Sequence, residues 1–151
     1  MGIMTKLGDV SSAAEIANSS DACKCKQKDR KEKICAADFV ISAKVLGSGN
    51  CFERIRRCLK MIHEIELFRI LKENNRSMEL LQDVKFKIDV GGIGPGLCGF
   101  KLKPNVLYFI AGKVLDNLNY LELNRCTSVI IKTSSAERSK IRRILDECSK
   151  I

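Results

Sequence analysis

Eight cysteines among 151 residues restrict this chain more than any other feature of its sequence. Three come early: Cys23-Lys24-Cys25, nine intervening residues, then Cys35, just ahead of the apolar run Asp38-Phe39-Val40-Ile41-Ser42-Ala43-Lys44-Val45. Cysteines at i and i+2 make a poor metal cage, and the Cys-x-x-Cys spacing of structural zinc sites occurs nowhere in the chain. The placement suits disulfides that anchor an extended segment and hold it rigid. Cysteine usage of this density belongs to an oxidising compartment, where bridges constrain the unfolded chain and supplement a modest core. The length suits one domain with a core of its own.

Residues 1–22 match a secretory signal only at their end. Ser20 and Ala22 suit the −3 and −1 positions of a cleavage before Cys23, but Asp9 and Glu15 interrupt the stretch, and it lacks an apolar h-region of about 7 to 15 residues. It reads as an atypical leader or disordered segment, with a cytosolic tail as the alternative, and residues 23–151 read as the domain. Two glycosylation sequons, Asn18-Ser19-Ser20 and Asn75-Arg76-Ser77, agree with extracellular life, the second in a polar, turn-like stretch. No segment reaches the roughly 20 apolar residues of a membrane span.

The net charge of +9 gathers in two places. Lys24, Lys26, Lys28, Arg30, Lys31 and Lys33 crowd what reads as a first loop, and Arg138, Lys140, Arg142 and Arg143 lie near the end. Such clusters attract sulfated glycans, nucleic acid or anionic lipid, or stay solvated.

Hydrophobic periodicity predicts five strands and a helix. The first strand spans about 38–46 and stops at Gly47-Ser48-Gly49-Asn50, a cluster of turn formers. In a second, long strand over 55–70, Leu59, Met61, His63, Ile65 and Leu67 share a face. A loop at 74–77 and a helical turn at 78–81 follow. The third strand, 84–90, alternates Val84, Phe86, Ile88 and Val90 with polar residues; the fourth and fifth span 106–112 and 118–123. Ser134 or Ser135 caps a helix whose Ile141, Ile144, Leu145 and Cys148 share one face. A mainly β, five-stranded Greek-key barrel of the OB type with a C-terminal helix fits this order; several sandwiches fit nearly as well.

Little in the chain points to catalysis. Gly91-Gly92-Ile93-Gly94-Pro95-Gly96 is not followed by Gly-Lys-Ser/Thr or by a helix, so it is no phosphate cradle. His63, the only histidine, reads as a packed ring, and Glu64 and Glu66 as solvent-facing carboxylates. Asp38 reads as part of the turn into the first strand. Aromatic residues make up 5% of the chain, too few for a base-stacking platform, which argues against nucleic acid as a partner.

Several separated motifs carry a resemblance. Cys23-x-Cys25, Cys35, Asp38-x-Val40-Ile41-x-Ala43-Lys44-Val45-x-Gly47, Leu97-Cys98-Gly99, Ile110-Ala111-Gly112-Lys113 and Cys126 together resemble the N-terminal, netrin-like domain of the tissue inhibitors of metalloproteinases (TIMP) over residues 23–148. Of the 105 pairings open to eight cysteines, the resemblance implies Cys23 with Cys98, Cys25 with Cys126 and Cys35 with Cys148. It assigns no counterpart to Cys51 and Cys58. These could pair with each other, remain buried thiols or link two molecules.

The resemblance further implies a secreted, non-enzymatic inhibitor of zinc metalloproteinases. Its N-terminal Cys23 would chelate the protease's catalytic zinc through a free α-amino group and carbonyl oxygen, at the position open to water in such enzymes. The zinc is shared with the target, and the chain has no cofactor of its own. Lys24, Cys25 and Lys26 beside Cys23, with Pro95, Gly96 and Leu97, would form the contact ridge. The chain departs from the family at Lys24, which stands where a small or uncharged residue normally enters the protease's S1′ pocket. Burying an unpaired ammonium there costs several kcal/mol, which selects an acidic or open pocket. Lys26 and Gln27 likewise replace apolar or proline positions. The alternative is a non-inhibitory netrin-like module that holds sulfated glycans or matrix through its basic surface.

Overall fold

The computed structural model describes residues 23, 25, 28–54, 57–93, 97–114 and 121–149. Their elements, in chain order, are α1 (Arg30–Ala36), β1 (Phe39–Val45), β2 (Asn50–Arg54), β3 (Arg57–Lys72), a short 3-10 turn (Leu80–Gln82), β4 (Lys85–Asp89), β5 (Leu107–Gly112), β6 (Leu121–Glu122), β7 (Val129–Lys132) and α2 (Ser135–Cys148). The fold is mainly β with a C-terminal helix, as expected, but the described residues form seven strands. β2, ahead of the expected second strand, pairs with β3 as a hairpin, and β7 lies where no strand was expected. Of the expected fifth strand only Leu121–Glu122 is a described strand, since residues 115–120 lie outside the described set.

The sheet runs β6-β4-β3-β1-β5-β7, with β2 paired to β3, and every pairing is antiparallel except β4 with β6. Sixteen-residue β3 is its spine, pairing with β1, β2 and β4. Two register shifts against β1, at Val40/Ile41 and Ser42/Ala43, mark bulges, the usual means of bending a strand. The sheet curls so far that Leu123, just past β6, packs against Gly112 at the end of β5, where a Cβ would collide with the leucine side chain. This half-barrel is consistent with an OB-type barrel.

β1 is buried at every position but Lys44 because both of its faces are covered. Phe39, Ile41, Ala43 and Val45 join Ile65, Ile88, Val90, Ile110 and Leu121 inside the curl. Val40 faces the other way and meets Phe109, Ala111, Ile34 of α1 and Ile141 of α2. Each large aliphatic side chain so buried stabilises the fold by roughly 1.5–3 kcal/mol.

α1 replaces the expected loop between Cys25 and Cys35. Its start is legible afterwards: the Asp29 side chain caps it by accepting the Glu32 N–H at 2.8 Å, an Asp-x-x-Glu signature hidden among lysines. Ser134 caps α2 in the same manner, accepting from the Glu137 N–H at 3.1 Å. The Cys35–Cys148 disulfide and an Arg30–Glu137 ion pair at 3.0 Å tie the helices together. Cys51 and Cys58 bridge β2 to β3 across their hairpin.

Candidate functional site

Cys23 and Cys25 are each bound to a different loop. Cys23 is disulfide-bonded to Cys98 and Cys25 to Cys126, across 75 and 101 residues of sequence. The four sulfurs lie within 4.8 Å of one another, with the Cys23 Sγ 3.5 Å from those of Cys25 and Cys126. Such a cluster has the composition of a metal centre, but every sulfur is committed to a disulfide, and a metal ligand must be a thiolate. Its effect is mechanical: two residues separated by one position are fixed to two loops that are themselves joined.

The first loop leaves β4 at Asp89, which is buried, and whose Oδ1 accepts the Gly91 N–H at 2.8 Å. Gly91 has φ +83°, and a Cβ on it would come within 2.8 Å of the Gly99 Cα. That crowding calls for glycine on both sides of the loop. Gly99 N–H donates to Gly92 O at 2.9 Å and Phe100 N–H to Val90 O at 2.8 Å, so Cys98 is held beside the strand it left.

The second loop follows β6. Leu123 N–H donates to Asp89 O at 2.7 Å, and the Asn124 Oδ1 accepts the N–H groups of Cys126 and Thr127 at 2.8 and 3.2 Å. Arg125 joins the loops: its N–H donates to Cys98 O at 2.9 Å and its guanidinium to Leu97 O at 3.4 Å. Lys33 of α1 completes the frame by donating to Arg125 O at 2.7 Å, and burial lowers its pKa below the usual lysine value. Lys33 was read only as part of a basic cluster and Asn124 and Arg125 not at all, because their role is to hold backbone; the polar run Asn124-Arg125-Cys126-Thr127-Ser128 is a hint of it.

Among the residues expected in the contact ridge, the structure brings together Cys23, Cys25 and Leu97. Lys24, Lys26, Pro95 and Gly96 lie outside the described residues. His63 belongs elsewhere, 2% exposed on β3 with its ring against Gly49 and a backbone hydrogen bond to Gly47. Its Nδ1 is buried without a partner among the described residues. Burial lowers its pKa, which the Gly47 hydrogen bond opposes.

Asp38 does more than turn the chain. Its carboxylate accepts from Asn74 Nδ2 at 2.9 Å and from Val114 N–H at 2.7 Å, with Arg76 at 3.9 Å. Burial pulls its pKa upward, but these hydrogen bonds and the charges of Arg76 and Lys113 outweigh that and leave it below the usual carboxylate value. Asp38 thereby ties the start of β1 to the turn after β3 and to the exit of β5.

A curled, mainly β half-barrel with Cys23 and Cys25 stapled to two adjoining loops defines a class of small disulfide-bonded β modules. The sequence profile described as tissue inhibitor of metalloproteinase matches residues 21–148, and the chain belongs to that family of inhibitors. No curated protein matches the chain closely enough to count as a relative. No helix among the described residues is long and apolar enough to cross a membrane.

Proposed function

We propose that the chain is a secreted inhibitor of zinc metalloproteinases that acts through Cys23 after residues 1–22 are removed. The observation that carries this reading is the double staple: Cys23 and Cys25 are bound to Cys98 and Cys126, loops that Arg125 joins. A segment held in this way loses little further freedom on entering a cleft, so less binding energy is spent on ordering it.

Catalytic zinc in such proteases keeps one open coordination position. The freed α-amino nitrogen and the carbonyl oxygen of Cys23 would take it as a bidentate pair. The amine must be uncharged to donate its lone pair, and an unperturbed α-amino pKa of about 8 makes that attainable beside a cation. Any residue left ahead of Cys23 turns this amine into an amide and removes the ligand. Leu97, Pro95 and Gly96 would extend the contact, and Lys24 would occupy S1′. The cost of burying its ammonium favours proteases with an acidic or open S1′ pocket. The metal belongs to the target, and the inhibitor needs none of its own.

Oxidised protein beginning at Cys23 is compared with the same protein carrying one extra N-terminal alanine against a panel of zinc proteases. Inhibition by the first and its loss in the second is the expected result. Equal inhibition by both forms, or none by either, overturns the mechanism.

A second reading has its own observation. Arg69 of β3 and Arg142 of α2 line one open groove with Ile70, Leu71, Leu145 and one carboxylate, Asp146, and Arg138 and Arg143 are exposed on the same helix. A sulfated glycan would bind there with strong salt dependence, and binding without inhibition of any protease favours this module reading.

A further inference from the structure

We propose that Asn75 carries an N-linked glycan, transferred before the turn that contains it has folded. The proposal rests on the secreted reading above. Asn75-Arg76-Ser77 is an acceptor sequon, and Asn75 is exposed at the start of the turn that follows β3. The turn is built by the residues around it. The Asn74 Oδ1 accepts the Arg76 N–H at 2.9 Å and the Ser77 N–H at 3.3 Å, which leaves Asn75 at the outer corner.

Ser77, the residue that makes the sequence an acceptor, is 0% exposed in the folded protein. Its hydroxyl donates to Asp38 O at 3.0 Å and receives the Asn74 N–H at 3.1 Å. A transferase that reads this hydroxyl has no access to it once β1 and the turn have come together. Transfer therefore competes with folding, and the folded form keeps the modified side chain outside while hiding the recognition element.

In the transfer, the Asn75 Nδ2 attacks C1 of the first sugar of a polyprenyl-diphosphate oligosaccharide. A C–N bond forms as the C–O bond to diphosphate breaks, polyprenyl diphosphate leaves, and the amide proton passes to solvent. Hydrogen bonds of this turn run to Asp38 at the start of β1 and to Val114 at the exit of β5.

To test this, the full chain, with a well-formed secretory signal ahead of Met1, is produced in secreting eukaryotic cells and mapped by mass spectrometry before and after peptide N-glycosidase in heavy-oxygen water. The expected result is an Asn75 peptide converted to labelled Asp, with a gel shift that disappears in Asn75→Gln and Ser77→Ala and persists in Ser77→Thr. Mapping by peptide keeps any glycan on Asn18 apart. A reductant in the medium, which delays bridge formation, is expected to raise any incomplete occupancy. An unmodified Asn75 peptide, in secreted chain or in chain retained within the secretory route, overturns the proposal; occupancy that falls when folding is delayed overturns the stated order. Unmodified Asn75 in an active inhibitor defeats this proposal alone, whereas an occupied Asn75 in a chain with a freed Cys23 and no inhibition defeats only the protease reading.

Discussion

Two loop clusters in this molecule are held by different chemistry. The cluster around Cys23 and Cys25 is fixed by covalent bonds to loops at residues 98 and 126, with Arg125 and Lys33 bracing the backbone. The cluster around Asp38 joins three segments through one carboxylate, one hydroxyl and one amide side chain. The first holds whatever the pH, provided the sulfurs stay oxidised. The second is indifferent to redox state and depends on a single ionised group. Strands with apolar partners on both faces need neither device; the loops at their ends, which bury little apolar surface, need one or the other.

The strongest way to break the comparison is to remove sulfur. Cys25→Ser with Cys126→Ser opens a loop of 101 residues, and the chain-entropy relation puts the loss at about 4.7 kcal/mol, read as a lower urea midpoint. If the loops are already fixed by their hydrogen bonds, the midpoint barely moves, and the contrast with the Asp38 cluster fails.

Asp38→Ala leaves the Asn74 amide and the Val114 N–H without their acceptor, at an expected cost of about 2 kcal/mol. The pH dependence is the sharper test. Asp38 has a folded pKa below its unfolded value, so its contribution is present above the unfolded pKa and is lost as pH falls through the folded one. Denaturation curves from pH 6 downward should show this loss at acid pH, and Asp38→Asn should remove it. Reduced and alkylated protein, if still folded, should keep it.

His63 supplies a separate, milder window. Its folded pKa is lowered by burial, so the unfolded chain binds the proton more readily. The neutral ring's contribution is present above the unfolded pKa of about 6.5 and is lost as pH falls through the folded value. Stability should decline below about pH 6.5, before the Asp38 window opens, and His63→Gln should flatten that part of the curve. The groups known to border the ring's surroundings are Lys101 and Lys103, cations that cannot relieve the added charge.

The smallest effect is expected at Lys72, whose Nζ donates to Ile34 O and Cys35 O at 3.3 and 3.0 Å where α1 ends. Burial lowers its pKa, with Asp38 opposing. Lys72→Met keeps the stem and removes the donor, for a loss of about 1 kcal/mol. A larger loss would mean that the end of α1 leans on Lys72 more than on its disulfide.

Local pattern made much of the fold legible. The alternation of Phe86, Ile88 and Val90, the unbroken apolar run at 107–111, the glycines after Val45 and the Ser134 cap each report on neighbours within a few residues. The structure places β4, β5, the turn and α2 there. β2 and β7 were missed because they are short and are defined by pairing: Phe109 opposite Ile131, Cys51 opposite Met61. α1 was missed because four of its seven residues are charged, while its only buried side chain is Ile34.

The cysteine spacing, the strand that follows it and the separated motifs at 97–99, 110–113 and 126 together pointed to the family, because covalent bonds demand particular residues at particular places. The frame around Cys23 was not readable in advance. Asn124 and Asp89 bond N–H groups two or three residues on in their own loops, whereas Arg125 and Lys33 are common polar residues whose roles come from hydrogen bonds to backbone groups of other segments, and any residue offers the same backbone groups. Only folding brings those segments within 3 Å of each other's donors and acceptors, and so only the tertiary structure decides which polar side chain holds which loop.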